Sequence, residues 1–302
     1  GHLVFEITAL GGEMGRAADR VMLQSRMLNT GKGPAVHSLR MQSDRRAYQS
    51  LMKSTLERTK NLKLIQAEVC ELKVEDGRVC GVVTGFGACY RAAAVIIATG
   101  TSLGGRVHTG ECSYDSGPDN SKAAAKLSQS LREIGVPLRR FKTGTPARVH
   151  EDSVDFTVME LQTGDSPPQY FSVEGVKGAG GKCCHVTYTN GETHRIIREN
   201  LHRSPLYGGE IKGVGPRYCP SIEDKVVRFA DKERHQIFVE PMGEDSKELY
   251  LQGLSSSLPE EVQKALVHSI SGLERAEFMR TAYAIEYDCT DPLELYPTLE
   301  FK

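Results

Sequence analysis

The most informative part of the 302-residue sequence is the string Gly213-Val214-Gly215-Pro216-Arg217-Tyr218-Cys219-Pro220-Ser221-Ile222-Glu223-Asp224-Lys225. Proline is favoured at the first position of a helix. With Pro220 there, Ile222, Val226, Phe229 and Ala230 fall on one helical face and Cys219 takes the N-cap. The positive end of the helix dipole, helped by neighbouring Arg217, then favours the thiolate, the form that acts as a nucleophile. The competing reading is a small buried residue beside a turn, since free cysteine is often buried. Ahead of the cysteine, Gly213-x-Gly215 could cradle a phosphate on exposed backbone N–H groups. It lacks the third glycine and the preceding strand of a dinucleotide fingerprint, and no G-x-G-x-x-G followed by a helix occurs in the chain.

A second candidate is the basic stretch Arg139-Arg140-Phe141-Lys142, where cations could hold RNA or cofactor phosphates and Phe141 could stack on a base. A solvated strand face accounts for the same residues. His194-Arg195 and His202-Arg203 have no carboxylate at a spacing suited to acid-base work. The eight cysteines form no C-x-x-C pair and no zinc spacing with the nine histidines, so a metal centre is not expected and free thiols in a reducing cytoplasm are. A net charge of -1 gives no bulk attraction to nucleic acid, and any RNA site must be local.

The elements that position these residues follow from periodicity. Length favours two domains, and 39% hydrophobic with 25% charged residues suits a folded, soluble chain. Apolar spacing predicts a helix over 41–56, strands over 62–65, 67–74 and 79–84 with an Asp76-Gly77 hairpin turn, and a further turn at Gly85-Phe86-Gly87. The run 92–98, closed by Thr99-Gly100, reads as a strand buried on both faces. Asp119-Asn120-Ser121 caps a helix carrying Leu127, Leu131 and Ile134 that Gly135 stops. After Arg148, a loop-rich stretch opens a second domain with helices near 192–201, 220–232 and 259–270 and a strand at 236–239. The longest apolar run is far shorter than a membrane span, and no signal segment opens the chain.

Read together, Leu28 to Val36, Lys142-Thr143-Gly144-Thr145-Pro146, Asn200-Leu201-His202-Arg203-Ser204-Pro205, Gly213 to Lys225, Tyr283-Ala284-Ile285-Glu286-Tyr287-Asp288 and Pro297-Thr298-Leu299-Glu300 resemble MnmG (GidA) proteins in the same order. The resemblance implies a FAD-dependent enzyme that, with the GTPase MnmE, adds an aminomethyl or carboxymethylaminomethyl group to carbon 5 of the wobble uridine of tRNA. NADH and methylenetetrahydrofolate are its implied co-substrates, and a cytoplasmic homodimer its implied form. The cysteine of the Pro-Arg-Tyr-Cys-Pro string inherits a catalytic role, which falls on Cys219. Gly215, Pro216, Arg217, Tyr218, Cys219, Pro220, Ser221, Ile222, Glu223, Asp224 and Lys225 inherit an NAD site. Val69 and Thr99-Gly100-Thr101 inherit FAD contacts, and Arg139, Arg140 and Lys142 remain the nucleic-acid candidates.

The fold implied is α/β: a Rossmann-like, three-layer FAD/NAD(P)-binding domain over 1–148, incomplete, with an inserted α+β domain over 149–288 and a return to the first domain over 289–302. The family's glycine-rich phosphate motif has no counterpart here, and the chain begins without methionine, so a central fragment with poor FAD binding and no activity of its own is expected. Ser116-Gly117-Pro118-Asp119-Asn120 departs from the Gly-Gly-Arg-Ala-Gly of many members, and Ala124 stands where a serine is frequent. Two rival readings are a folate-dependent tRNA uracil-5-methyltransferase related to TrmFO and a non-catalytic tRNA-binding or assembly module.

Overall fold

The computed structural model describes every residue except 176, 179, 216–218 and 302. The described residues form four sheets, all with antiparallel pairing. A four-stranded sheet runs in the order Cys112–Asp115, Arg106–Thr109, Tyr283–Thr290 and Leu138–Thr145. A six-stranded sheet runs Glu160–Gln162, Cys184–Tyr188, Gln236–Pro241, Glu248–Gln252, Arg148–His150 and Phe278–Arg280. The chain therefore passes from one sheet to the other at Pro146 and Ala147, between adjacent strands. A three-stranded meander (Val69–Glu75, Arg78–Thr84, Cys89–Arg91) and the hairpin Met22–Leu28 with Ser38–Ser43 complete the set.

The larger core lies under the six-stranded sheet. Val149, Ile237, Val239, Leu249 and Leu251 meet Ile197, Ile222, Val226, Val262 and Leu266 from the helices Gly191–Glu199, Ile222–Arg228 and Glu260–His268. Side chains of this size contribute about 1.5–3 kcal/mol each when fully buried, and Ile197, Ile222, Ile237 and Leu251 are all fully buried. A smaller core of Leu103, Leu127 and Leu131 joins the helix Ala125–Glu133 to Val69 and Leu72 of the meander.

Local chemistry explains most of the elements that match expectation. Asp76 and Gly77 both take positive φ (49° and 74°), as the two central residues of a tight hairpin turn require, and Glu75 pairs with Arg78 across it. Asn190 and Thr193 form a reciprocal capping box at the start of Gly191–Glu199. Gly135, at φ 90°, ends the helix Ala125–Glu133 as expected.

Other expectations are corrected. Met41 belongs to a strand, because Asp44 accepts a hydrogen bond from the Ala47 N–H and starts the helix Arg45–Arg58 only there. Asp119 caps nothing. The helix after it begins at Ala125, and the Asp119 carboxylate turns instead to Arg45, Arg148 and Arg280. The runs 62–65 and 92–98 lie outside every ladder among the described residues. Ile96, expected inside a buried strand, is 91% exposed. Burial of such a run on both faces needs a neighbouring strand on at least one edge to satisfy its backbone, and none of the described residues supplies one.

Two measurements probe this architecture. Gln263 is 1% exposed, donates to the carbonyls of Leu258 (2.7 Å) and Ala282 (3.0 Å), and accepts from the Ala282 N–H (2.7 Å). Gln263→Met keeps the volume but orphans these groups, at about 1–3 kcal/mol for each buried group left unpaired. Urea unfolding should show a loss of at least about 2 kcal/mol, and a loss near zero would contradict the buried network. His194 and His235 stack at 5.3 Å, and the His235 Nε2 is buried without a hydrogen-bond partner among the described residues. Burial pushes both imidazoles below their ordinary value of 6.5, with Arg198 adding to the shift at His194 and His194 and Lys225 adding to it at His235. A depressed folded value favours the neutral ring, so the stabilisation is complete above 6.5 and is lost as the pH falls below it. Urea midpoints should drop on acidification, and drop less in His194→Gln.

Candidate functional site

The loop that carries Cys219 is built onto the edge of the four-stranded sheet. Val214 bridges to Phe141 in parallel fashion, with the Lys142 N–H donating to the Val214 carbonyl (3.1 Å) and the Val214 N–H to the Arg140 carbonyl (3.2 Å). The Glu286 Oε1 accepts from the N–H groups of Lys212 (2.9 Å) and Gly213 (2.7 Å). A Cβ on Gly213 would lie 2.8 Å from the Phe141 carbonyl carbon, so this glycine serves close approach of two backbones and not a phosphate. Gly215 is open, its nearest neighbour being the Lys142 carbonyl at 4.0 Å. Pro216, Arg217 and Tyr218 lie outside the described residues.

Cys219 does not occupy the N-cap. Ser221 does, and its Oγ accepts from the Asp224 N–H while the Asp224 carboxylate accepts from the Ser221 N–H, both at 3.2 Å. A hydroxyl three residues ahead of a carboxylate makes a stronger cap than a thiol, and Pro220 falls just before the cap. The helix Ile222–Arg228 then ends early. Phe229, expected on its buried face, sits past the last turn and is 49% exposed. Cys219 itself is half-buried, with its Sγ 3.2 Å from the Thr143 Oγ1.

Around the sulfur, Lys142, Gly144, Ser221, Ser255, Ser256, Ser257, Tyr283 and Ala284 line a small cavity of ≈ 10 Å³, room for about one water molecule. Ile222 and Glu223 are fully buried and Asp224 nearly so. Glu223 accepts from the Ser256 hydroxyl and the Ser257 N–H, both at 3.0 Å, and the Ile222 N–H donates to the Ser255 carbonyl. The helix start is thereby fastened to the serine loop. The Lys225 Nζ donates to the Gly253 carbonyl (3.0 Å), and burial pulls its ammonium below the usual lysine range. Of the stretch expected to hold NAD, Ile222 is packed in the core, the Glu223 Oε1 and Asp224 make internal hydrogen bonds, and Gly215 keeps an open Cα.

The basic stretch does not form an outward stripe, which corrects the expectation for two of its three cations. Arg139 is exposed and paired with Asp291. Arg140 turns inward to the Gly104 carbonyl (2.7 Å) and the Asp288 carboxylate (3.1 Å). Lys142 is 3% exposed, with its Nζ 3.8 Å from Asp224. Opposite charges across the strand pair explain the turn, since Arg140 faces Asp288 and Lys142 faces Glu286 in register. Phe141 packs 6.2 Å from the Tyr287 ring.

Val69 and the 99–101 segment sit together at the other end of the chain's first region. Val69 packs on the Leu103, Leu127 and Leu131 cluster, as does Ile97. Gly100–Ser102 forms a single turn in which Gly100 has φ 55° and open space where a Cβ would project. That exposed backbone beside apolar side chains fits one edge of a flat cofactor such as FAD. Sequence reasoning missed Thr143, Tyr283, Glu286 and the Ser255-Ser256-Ser257 run. The triple serine was the visible signal, being an unusual polar cluster between apolar segments. His108 was also missed. Its Nε2 lies 3.2 Å from the Glu286 Oε2, and burial pushes its imidazole down against the opposing pull of that carboxylate. Among the described residues no three His, Cys, Asp or Glu side chains cluster as metal ligands, and no helix is long and apolar enough to cross a membrane.

Comparison with known proteins bears on these residues as a set. A family model described as glucose inhibited division protein A matches residues 1–302. The tRNA uridine 5-carboxymethylaminomethyl modification enzyme MnmG of Caldicellulosiruptor saccharolyticus is 59% identical over the whole chain, and that of Bacillus subtilis 57%. The chain spans about half the length of these curated relatives, 48% of each. The crystal structure of Aquifex aeolicus GidA superposes with a TM-score of 0.93 at 50% identity, over 99% of this chain and 51% of that one. The mixed α/β fold described above is thus the GidA fold, and the chain belongs to the GidA family.

Proposed function

We propose that the chain is the central portion of a cytoplasmic, FAD-dependent enzyme that modifies carbon 5 of a tRNA wobble uridine, with Cys219 as the nucleophile. The observation that carries the reading is similarity along the whole of this chain, at 57–59% identity, to proteins named for the 5-carboxymethylaminomethyl modification of tRNA uridine. A half-buried thiol beside a lysine, a tyrosine and three serines supports the assignment of the chemistry to Cys219.

In this reading the Cys219 sulfur adds to carbon 6 of the uracil, and its electron pair moves the ring's 5,6 double bond into an enolate that makes carbon 5 nucleophilic. Carbon 5 then attacks the methylene carbon of the iminium form of methylenetetrahydrofolate, whose C=N π pair passes to the folate nitrogen, and an amine later takes the place of tetrahydrofolate on that carbon. Loss of the carbon 5 proton expels the thiolate and restores the double bond. Lys142, held in the cavity wall by Asp224, stands beside the sulfur as a hydrogen-bond donor for the uracil oxygen. Thr143 orients the sulfur through the 3.2 Å contact. The cavity of ≈ 10 Å³ is too small for a pyrimidine, so the base approaches the solvent side of Cys219. Val69 and Thr99-Gly100-Thr101 would hold FAD, which would supply redox equivalents. NADH as reductant, MnmE as partner and a homodimer complete the proposal for the whole protein.

Sheet membership supports dividing the chain into a FAD-binding part (1–148 and 289–302) and an inserted part (149–288). The strand Tyr283–Thr290 already belongs to the first part's sheet, so the return begins slightly earlier than the sequence suggested. The alternative of a bare RNA-binding module loses its footing, because Arg140 and Lys142 spend their charges on Asp288 and Asp224.

In the full-length protein, Cys219→Ser should lower modification by at least about a thousandfold while leaving bound flavin absorbance unchanged. Retained activity would remove Cys219 from the mechanism. Nucleoside analysis of tRNA from a strain lacking the gene should show loss of the wobble modification with 5-methyluridine intact. The reverse pattern would favour a uracil-5-methyltransferase.

A further inference from the structure

Three arginines from three separate elements converge on one carboxylate at the junction of the two main sheets. Arg45 begins the helix Arg45–Arg58, Arg148 opens the strand Arg148–His150, and Arg280 closes the strand Phe278–Arg280. All three contact Asp119: Arg45 through the Oδ2, and Arg148 and Arg280 through the Oδ1 at 3.2 Å each. Glu248 is the second carboxylate present, 3.8 Å from Arg148 and 3.3 Å from Arg280. Three cations thus share two carboxylates.

The cluster is incompletely satisfied. Arg148 is 5% exposed, yet its Nε has no hydrogen-bond partner among the described residues, and neither does the Glu248 Oε1. Its hydrogen bonds are 3.2 Å to Asp119 and 3.4 Å to the Thr145 hydroxyl, and its guanidinium carbon lies 5.9 Å from the Tyr250 ring centre. Charge-assisted N–H···O bonds ordinarily close to about 2.7–2.9 Å. A buried guanidinium left with long bonds and an unused donor is costly, and a planar carboxylate has too few acceptor directions to serve three forks at once. A tetrahedral oxyanion has them.

Asp119 is also borne on an exposed loop. Pro118, Asp119 and Asn120 are exposed, and Asp119 and Asn120 stand consecutively in the left-handed region at φ 53° and 60°, uncommon for residues other than glycine. The loop is held by few bonds, among them the Asp119 N–H to the Tyr283 hydroxyl and the Tyr114 hydroxyl to Asn120, each 3.1 Å. Arg280 moreover borders an open cleft of ≈ 410 Å³ with Lys264 and His268, so ligand could reach it without passing through the protein.

We propose that Arg45, Arg148 and Arg280 form a phosphate-binding site, and that Asp119 occupies it as an internal substitute which the ligand displaces. The site stands independently of the role assigned to Cys219. Its ligand is a phosphate group, carried by an RNA backbone or by a free or cofactor phosphate.

The test uses the full-length protein as wild type, Asp119→Asn, Arg280→Gln and the double variant. Thermal melting in inorganic phosphate is compared with chloride at matched ionic strength, alongside tRNA binding with and without phosphate. Removing the internal competitor should tighten phosphate binding by about tenfold, seen as a larger phosphate-induced rise in Tm for Asp119→Asn than for wild type. Arg280→Gln should abolish that gain. If phosphate also competes with tRNA, and Asp119→Asn binds tRNA more tightly, the ligand is RNA backbone. If phosphate raises Tm without affecting tRNA, it is a free or cofactor phosphate. An equal phosphate response in wild type, Asp119→Asn and the double variant overturns the proposal. Should Asp119→Asn fail to fold, Arg280→Gln alone decides: unchanged phosphate and tRNA binding rejects the site.

Discussion

The loop bearing Cys219 is held in place by one carboxylate. Glu286 lies in the middle of the strand Tyr283–Thr290, and its Oε1 accepts two successive backbone N–H groups from Lys212 and Gly213, while the Oε2 meets His108. Two converging N–H donors on one oxygen fix both the position and the direction of the chain that leaves them. From that anchor the loop runs along Leu138–Thr145 through the Val214 bridge and delivers Cys219 against Thr143. His108 and Glu286 are both buried, so the clamp is shielded from competing water, and breaking it would leave charge or N–H groups stranded in the interior.

The same strand pair carries an unusual load of buried charge. Arg140 opposes Asp288 and Lys142 opposes Glu286 across the ladder, Asp288 also meets Arg132 and Ser128, and Lys142 reaches Asp224. Hydrophobic residues of equal volume would stabilise the sheet as well or better, since desolvating paired charges offsets much of their attraction. What the charges supply is direction. Each fixes one segment to the sheet: Asp288 the helix Ala125–Glu133, Glu286 the 212–214 loop, and Asp224 the start of Ile222–Arg228. Three chain segments remote in sequence are thereby brought to one edge, where Lys142, Cys219, Ser256 and Tyr283 meet.

How much of this was legible in the sequence depended on the range of the forces involved. The Asp76-Gly77 turn, the helix starting at Gly191 and the stop at Gly135 are set by residues within four positions of one another, and a local reading found them. The family string around Cys219 was equally visible. The inward turn of Arg140 and Lys142 was not, because their partners Asp288 and Asp224 are far along the chain and nothing local distinguishes a buried cation from a solvated one. Cys219 was misjudged by two residues at its helix, since proline preference pointed to Pro220 as the first helical residue while the Ser221-Asp224 reciprocal cap proved the stronger signal. The 92–98 run illustrates the converse: composition correctly marks it as apolar, but whether it enters a sheet depends on strands that none of the described residues provides.

The displaced cap changes the electrostatic account of the thiol. Had Cys219 been the N-cap, the unpaired N–H groups of the first helical turn would have pointed at its sulfur. Instead Ser221 and Asp224 satisfy one another there, and Glu223 and Asp224 place two carboxylates in the first turn, so the positive pole of the short helix is already answered by its own residues. The dipole is also confined to roughly one turn. The cavity wall also holds Lys142, drawn inside by the register of Leu138–Thr145 against Tyr283–Thr290. The residue that looked like an RNA contact in the sequence thus lines the cavity beside the sulfur, and the strand pairing, not the helix, places it there.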